Sequence, residues 1–372
     1  MLTALFYTLF LLTVLYALSM LFFAIGLTRL GEAKNSNTPA VSVVIAARNE
    51  EDNMAPLLAA LAEQEYPRDK FEIVLVDDAS TDATARRINE AVAVHQGLTV
   101  HHLTVRNRSE ALSPKKNALA QGIRHAGGEI LLFTDADCRP GKGWLSTMVR
   151  HFNKEVGLVI GFSPYELPVL RGLGARLLAI DALSLAALSA GSSGWGRPAT
   201  CSGRNLAYRK SVYEQVGGFN DIRRFLSGDD DLFLKLVVQK TGWRIRYAAT
   251  DAAMVPTLVL TSLQQFVQQR IRHASKGFHY GWRMTSVLTL AWLFNALLMM
   301  MLFTAFWRQV LLLWLVKAAA ELVLMFLFAN KINRLHYLTV WPLAVVLHVP
   351  YVVTFGLLGP FTKYSWKGSK PS

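Results

Sequence analysis

The chain has 372 residues, 52% of them hydrophobic, a formal net charge of +13 and only two cysteines, Cys138 and Cys201. That length exceeds the size at which one core stops growing, so more than one unit is expected, and two distant cysteines exclude a disulfide scaffold or a zinc site. The positive charge does not argue for nucleic acid, because much of it flanks apolar runs and no nucleic-acid motif accompanies it; anionic lipid headgroups are the simpler partner, at roughly 1 kcal/mol per basic residue.

Leu2 to Leu27 carries no charge over more than the about 20 residues that a hydrocarbon core requires. No basic region precedes it, and it is long for a cleaved signal, so residues 1–30 are predicted to be a membrane anchor. Residues 31–39 read as a linker. Arg29 and Lys34 follow the anchor, and Arg270, Arg272, Lys276 and Arg283 precede the next apolar run. Basic flanks on both sides place the central region in the cytoplasm, making this an integral protein of the cytoplasmic membrane.

In the central region, 40–257, Val41 to Ala47 is a near-continuous apolar run rich in β-branched residues, as for a strand buried on both faces. Asn49 is placed to cap a following helix with Glu50, Glu51 and Asp52 in its first turn. Phe71 to Val76 is a second strand ending in Asp77 and Asp78, with Ser80 or Thr81 capping the next helix. Leu98 to Val105 is a third strand, Ser113-Pro114 opens a helix reaching about His125, and Ile130 to Phe133 is a fourth strand running into Thr134, Asp135 and Asp137. Alternation at this spacing predicts an α/β fold, a doubly wound and mainly parallel sheet. Ligands of such sheets bind outside the carboxyl ends of the strands, where Ala47 to Glu50, Asp78, and Asp135 with Asp137 all fall. Two carboxylates one residue apart suit a hard divalent cation such as Mg2+ or Mn2+, which keeps waters and substrate phosphates as further ligands.

Leu173 to Ala190 reads as an amphipathic helix at the domain's rim, followed by a loop, Gly191 to Arg197. In the run CSGRNLAYRKSVYEQVGGF, Ser211 and Glu214 form a capping-box pattern and Gly217 a stop. Phe225 to Leu236, FLSGDDDLFLKL, opens a helix on three acids. With Asp229 as the cap, Asp230 and Asp231 splay around the first turn, and a carboxylate facing the cleft is a natural general base. Residues 258–283 carry apolar positions Leu260, Leu263, Val267 and Ile271 among Gln, Arg, His and Lys, the pattern of a helix lying in the membrane interface. Residues 284–363 hold three apolar runs, Met284 to Trp307, Val310 to Phe328 and Leu338 to Phe361, before a basic tail, 364–372. Lys317 and Glu321, four apart, can pair on one helix face inside a bundle. The last run contains Pro342, Pro350 and Pro360, and a full crossing would put Lys363, Lys367 and Lys370 on the side opposite to the positive-inside rule, so whether it crosses stays open.

These ordered motifs resemble the membrane-bound family 2 glycosyltransferases, the GT-A group that includes ceramide glucosyltransferases and hyaluronan and cellulose synthases, over about Val41 to Gly277. VSVVIAARNEE, VDDAST, SPKKNALAQGI, TDADC, SGDDD and QRIRH carry the likeness. It implies a nucleotide-sugar donor, a UDP-sugar, with Ala47 and Glu50 lining the nucleoside, Asp78 at the uracil, Lys115 near the diphosphate, Asp135 on the sugar nucleotide and Asp137 on the metal. Asp229, or Asp230 beside it, would be the base of an inverting displacement. On the acceptor side, Gln269 and Arg272 match QxxRW while His273 replaces its tryptophan; that departure favours transfer of one sugar to a lipid or lipid-linked glycan over processive polysaccharide synthesis. A nucleotidyltransferase would need a glycine-rich loop where AARNEEDN stands, and a membrane-anchored nucleotide-binding regulator leaves SGDDD and QRIRH without a role. No pattern assigns an oligomeric state.

Overall fold

The computed structural model describes residues 1–105, 112–165, 172–258, 263–275 and 282–361. Its centre is a seven-stranded sheet in the order β3-β2-β1-β4-β6-β5-β7. Strands β1 (Val41–Ala47), β2 (Phe71–Asp77), β3 (Thr99–Thr104) and β4 (Ile130–Phe133) are mutually parallel, as the apolar runs of β1 and β4 and the strand–helix alternation predict. Strand β6 (Leu206–Arg209) runs antiparallel to β4 and to β5 (Val156–Gly161), and β7 (Arg244–Ala248) is parallel to β5. The fold is the expected GT-A arrangement, with one reversed strand beside the central four.

Both faces are covered. On one, Val43, Ile45, Ile73 and Leu132 pack against Met54, Leu57 and Leu61 of α2 (Glu51–Ala62), Ile88 of α3 (Thr84–Val94) and Trp144 of α5 (Trp144–Val149). On the other lie α4 (Pro114–His125), α6 (Leu173–Gly194), α8 (Asp231–Lys240) and the inner face of α11 (Trp307–Lys331). A third cluster joins α1 (Leu2–Thr28), α10 (Trp282–Met301) and α11 through Leu9, Phe294, Leu298 and Val310.

Three local expectations are corrected. Asn49 does not cap α2: it adopts φ 53° and its side-chain oxygen accepts from the Thr81 amide at 2.8 Å, tying the β1 loop to the β2 loop. Helix α3 is opened by Asp82, which accepts from the Thr84 amide, and not by Ser80 or Thr81; Ser80 instead bonds back to Asp77. The Ser211 and Glu214 capping box is not formed either. Helix α7 (Lys210–Gln215) starts directly from β6, and the Lys210 amide is already bonded to the Glu129 carbonyl, so Ser211 lies inside the helix; Gly217, at φ 78°, does terminate it.

Helix α6 also departs from expectation. It is apolar on nearly every side and runs on through Gly191 to Gly194, where a loop was expected. The cause is its crossing with α1: a Cβ on Gly26 would lie 2.0 Å from the Gly191 carbonyl, and one on Gly194 would lie 1.8 Å from that of Gly26. Backbones in direct contact require small residues, the usual means of close helix packing in membranes. Trp195 closes this crossing, stacked on Phe22 and covered by the Arg29 guanidinium at 3.8 Å.

Among the described residues, four helical stretches are long and apolar enough to cross a membrane: Leu2–Thr28, Leu173–Gly194, Trp307–Lys331 and Leu335–Gly359. The last overlaps most of α12 (Trp341–Phe361). Over Thr285–Met301, α10 is apolar but shorter.

Candidate active site

The carboxyl ends of β1, β2 and β4 converge on one edge of the sheet. Ala47 ends β1 buried, its carbonyl accepting from the Asp78 amide at 2.8 Å. Asp78 is 2% exposed, with its carboxylate 3.5 Å from Arg48. Its neighbour Asp77 bends the chain by accepting from the Ser80 amide. Glu50 is half-buried: its amide donates to Thr84 Oγ1 and its carboxylate accepts from Asn53 Nδ2 at 2.7 Å. These residues form one wall.

The opposite wall is built by α4, the turn after β4 and the start of α8. Adjacent lysines on α4 divide the work. Lys116 is fully buried and donates to the carbonyls of Ile222 and Phe225, fixing the segment that leads into the acidic triplet. Lys115 points into the cleft, 2.9 Å from Asp135 Oδ1 and 3.1 Å from Asp229 Oδ2. Burial alone would lower its proton affinity, but Asp135 and Asp229 outweigh it and hold the ammonium charged. In turn, burial would raise the Asp135 carboxyl, and Lys115 pulls it below the ordinary carboxylate range.

The acidic triplet is resolved by its hydrogen bonds. Asp230, not Asp229, is the cap of α8: it accepts from the Asp231 amide at 2.7 Å and from the Gly203 amide at 3.1 Å. Asp229, one residue earlier, turns its carboxylate into the cleft, 10% exposed, beside Lys115. Gly228 takes φ 97° at this turn, a conformation favouring glycine. Asp137 is half-buried on the turn after β4, with the buried Cys138 thiol 3.7 Å from its carboxylate. Among the described residues no cluster of three or more His, Cys, Asp or Glu is close enough to cage a metal.

Gln269 lies on α9 (Leu263–Ser275), with the Tyr165 hydroxyl 3.5 Å from its side-chain oxygen. The helix is fastened by Arg270, 5% exposed and 2.7 Å from Asp181 of α6. Arg272 and His273 lie on the same helix, and their side chains fall outside the described residues.

Sequence reasoning missed the turn before β6. Antiparallel pairing sets Leu206 opposite Phe133, so Ser202 to Asn205 lies beside the turn that follows β4. Asn205 is fully buried and fully engaged: it donates to the carbonyls of Phe162 and Ala253 at 2.8 and 2.7 Å, and accepts from Trp144 Nε1 at 3.0 Å. The polar string SGRN between apolar segments was the available signal.

The model of glycosyl transferase family 21 matches residues 6–369. The chain belongs to this family. That family is one of glycosyl transferases. Among curated relatives of this family 21 member, a probable glycosyltransferase of Bacillus subtilis, YdaM, is 29% identical over 212 residues, 56% of this chain and 49% of the relative. A beta-monoglucosyldiacylglycerol synthase of Synechocystis is 26% identical, covering 72% of this chain and 56% of the relative. The chain thus spans about half the length of these curated relatives. A mannosyltransferase of Pyrobaculum calidifontis, solved with GDP-Man and Mn2+, has the same fold, with a TM-score of 0.56 and 22% identity over 96% of this chain and 94% of that one.

Proposed function

We propose that this family 21 enzyme transfers one sugar from a nucleotide-sugar to a hydroxyl of a lipid or lipid-linked acceptor, by a single inverting displacement at the cytoplasmic face of the membrane. The observation that carries the reading is the meeting of Lys115 with Asp135 and Asp229 at the carboxyl edge of the sheet. A cation and two carboxylates from separate elements suit a diphosphate leaving group on one side and an attacking hydroxyl on the other. Asp78 and Glu50 would receive the nucleoside, and Asp229 would take the proton from the acceptor hydroxyl. Asp230 is spent on two amides, which favours Asp229 for that role.

Asp135 and Asp137 offer hard oxygen donors, and the lack of a third described ligand suits Mg2+ or Mn2+, which take waters and phosphate oxygens to complete their shell. When bound, the ion neutralises charge developing on the leaving diphosphate. Lys115 orients that same diphosphate; as it turns to the phosphates its hold on Asp229 loosens, leaving the base free to act.

The acceptor assignment is supported by the apolar helices packed against the catalytic sheet and by α9, which carries Gln269 between the cleft and α12. It is also supported by the relative named for making monoglucosyldiacylglycerol. The test is release of UDP or GDP from a panel of UDP- and GDP-sugars by the full chain in lipid nanodiscs, with Mn2+ and then with EDTA. Metal-dependent release from one donor, raised by added membrane lipid, is the expected result. Silence across all donors would remove the reading.

A further inference from the structure

The cations of the cleft differ in what already holds them. Lys115 is bound by Asp135 and Asp229, Arg48 faces Asp78, and Arg139 is spent on the carbonyls of Ala136 and Cys138 and on Asn53. Arg204 stands apart. Its side-chain bond is a long one, 3.4 Å from Nε to Ser202 Oγ, and among the described residues no carboxylate lies within ion-pair distance of it. Yet the pairing of β6 with β4 brings its turn alongside the turn that carries Asp135 and Asp137, and its guanidinium lies 5.5 Å from the Tyr165 ring centre.

Its backbone is also unusually fixed. Asn205 behind it is locked by three side-chain hydrogen bonds, Gly203 before it donates to the Asp230 cap, and β6 starts two residues later in register with β4. A half-buried guanidinium on such a turn, without a carboxylate partner, is a donor fork waiting for an anion. Resting on the reading of the cleft given above, we infer that Arg204 binds the β-phosphate of the nucleoside diphosphate, next to the carboxylates that would collect its counter-ion. It holds the leaving group while Lys115 divides its time between phosphate and Asp229.

The test is calorimetric titration of the full chain in nanodiscs, with Mn2+, by UDP, GDP, UMP and GMP. Arg204→Gln is expected to weaken the preferred diphosphate about 10- to 100-fold, the scale of one lost charge-assisted bond, while changing the matching monophosphate less than about 2-fold. Arg204→Lys should recover part of the loss. Unchanged diphosphate affinity in Arg204→Gln overturns the inference, as does an equal loss for diphosphate and monophosphate, which would mark a structural role. A rise confined to the KM of the acceptor overturns it too, placing Arg204 on the acceptor. Should the unmodified chain bind neither diphosphate, the nucleotide-sugar reading falls and this inference with it.

Discussion

Lys115 Nζ lies 3.1 Å from Asp229 Oδ2 while also touching Asp135 at 2.9 Å, so one ammonium joins the turn after β4 to the turn before α8. Removing it leaves two carboxylates in a poorly solvated cleft with no cation between them. Lys115→Met is expected to lower kcat about 10²- to 10³-fold, the loss typical of one preorganised charge at a reacting centre. It should also raise the pH at which Asp135 titrates, because the group that depresses it is gone. Initial-rate measurements across pH 5 to 8 check both, and a variant with unaltered kcat would remove Lys115 from the mechanism.

The two neighbouring acids separate by what they already bind. Asp229→Asn keeps the shape of the side chain and removes the proposed base, so transfer should fall about 10²- to 10⁴-fold with nucleotide affinity little changed. Asp230→Asn keeps one acceptor for the Asp231 amide but leaves the Gly203 amide facing an NH2, so it should cost about 1–3 kcal/mol of stability with transfer nearly intact. Loss of transfer at Asp230 alone would reassign the base.

Strands β1, β2 and β4 were legible because each is a short, mostly apolar run ending in polar residues, and β1 and β4 begin and end where the pattern says, whereas β5, β6 and β7 were not singled out. The wall holding Ala47, Glu50 and Asp78 followed from those ends. The caps were misread because Asn49, Asp82 and Asp230 also bond across loops, to Thr81, Glu51 and Gly203, which local spacing does not record. Helix α6 was misread for a related reason: its apolar residues face α1, α11 and the sheet together, so no polar stripe marks a solvent side. Arg204 was invisible as a cleft residue because its place depends on β6 running backwards beside β4, a pairing between strands far apart in the chain.

His151 gives the domain an acid limit. It is 7% exposed, neither ring nitrogen has a hydrogen-bond partner, and burial, with Arg246 adding, pushes its pKa down to about 4. An unfolded histidine titrates near 6.5, so below that pH the unfolded chain takes up a proton that the folded one refuses. The stability due to the neutral ring is therefore complete above about pH 6.5 and is lost as pH falls toward about 4, by about 3 kcal/mol at most. Replacing the ring by leucine removes the titration without breaking a hydrogen bond, so His151→Leu should flatten the dependence of the melting temperature on pH between 7 and 4.5. Parallel curves for the two proteins would show that other groups set the limit.

Lys317 and Glu321 meet as their spacing predicts, inside a bundle. Lys317 is fully buried, 2.7 Å from Glu321 Oε1 and 3.2 Å from His348 Nδ1, and the Tyr16 hydroxyl donates to the same glutamate oxygen at 2.5 Å. The cluster ties α1, α11 and α12 together. Every member has a partner, which makes it a fastening between helices. Lys317→Met leaves Glu321 with only Tyr16 and His348 beside it in an apolar surround and should cost about 3–5 kcal/mol, whereas Lys317→Met combined with Glu321→Leu removes both charges and should restore most of that loss. Thermal unfolding in nanodiscs distinguishes the two outcomes. If the double variant melts like the unmodified chain yet loses transfer, the charges serve the acceptor's path; if it melts as low as the single variant, the partners Tyr16 and His348 carry the stabilisation through hydrogen bonds that the hydrocarbon cannot replace.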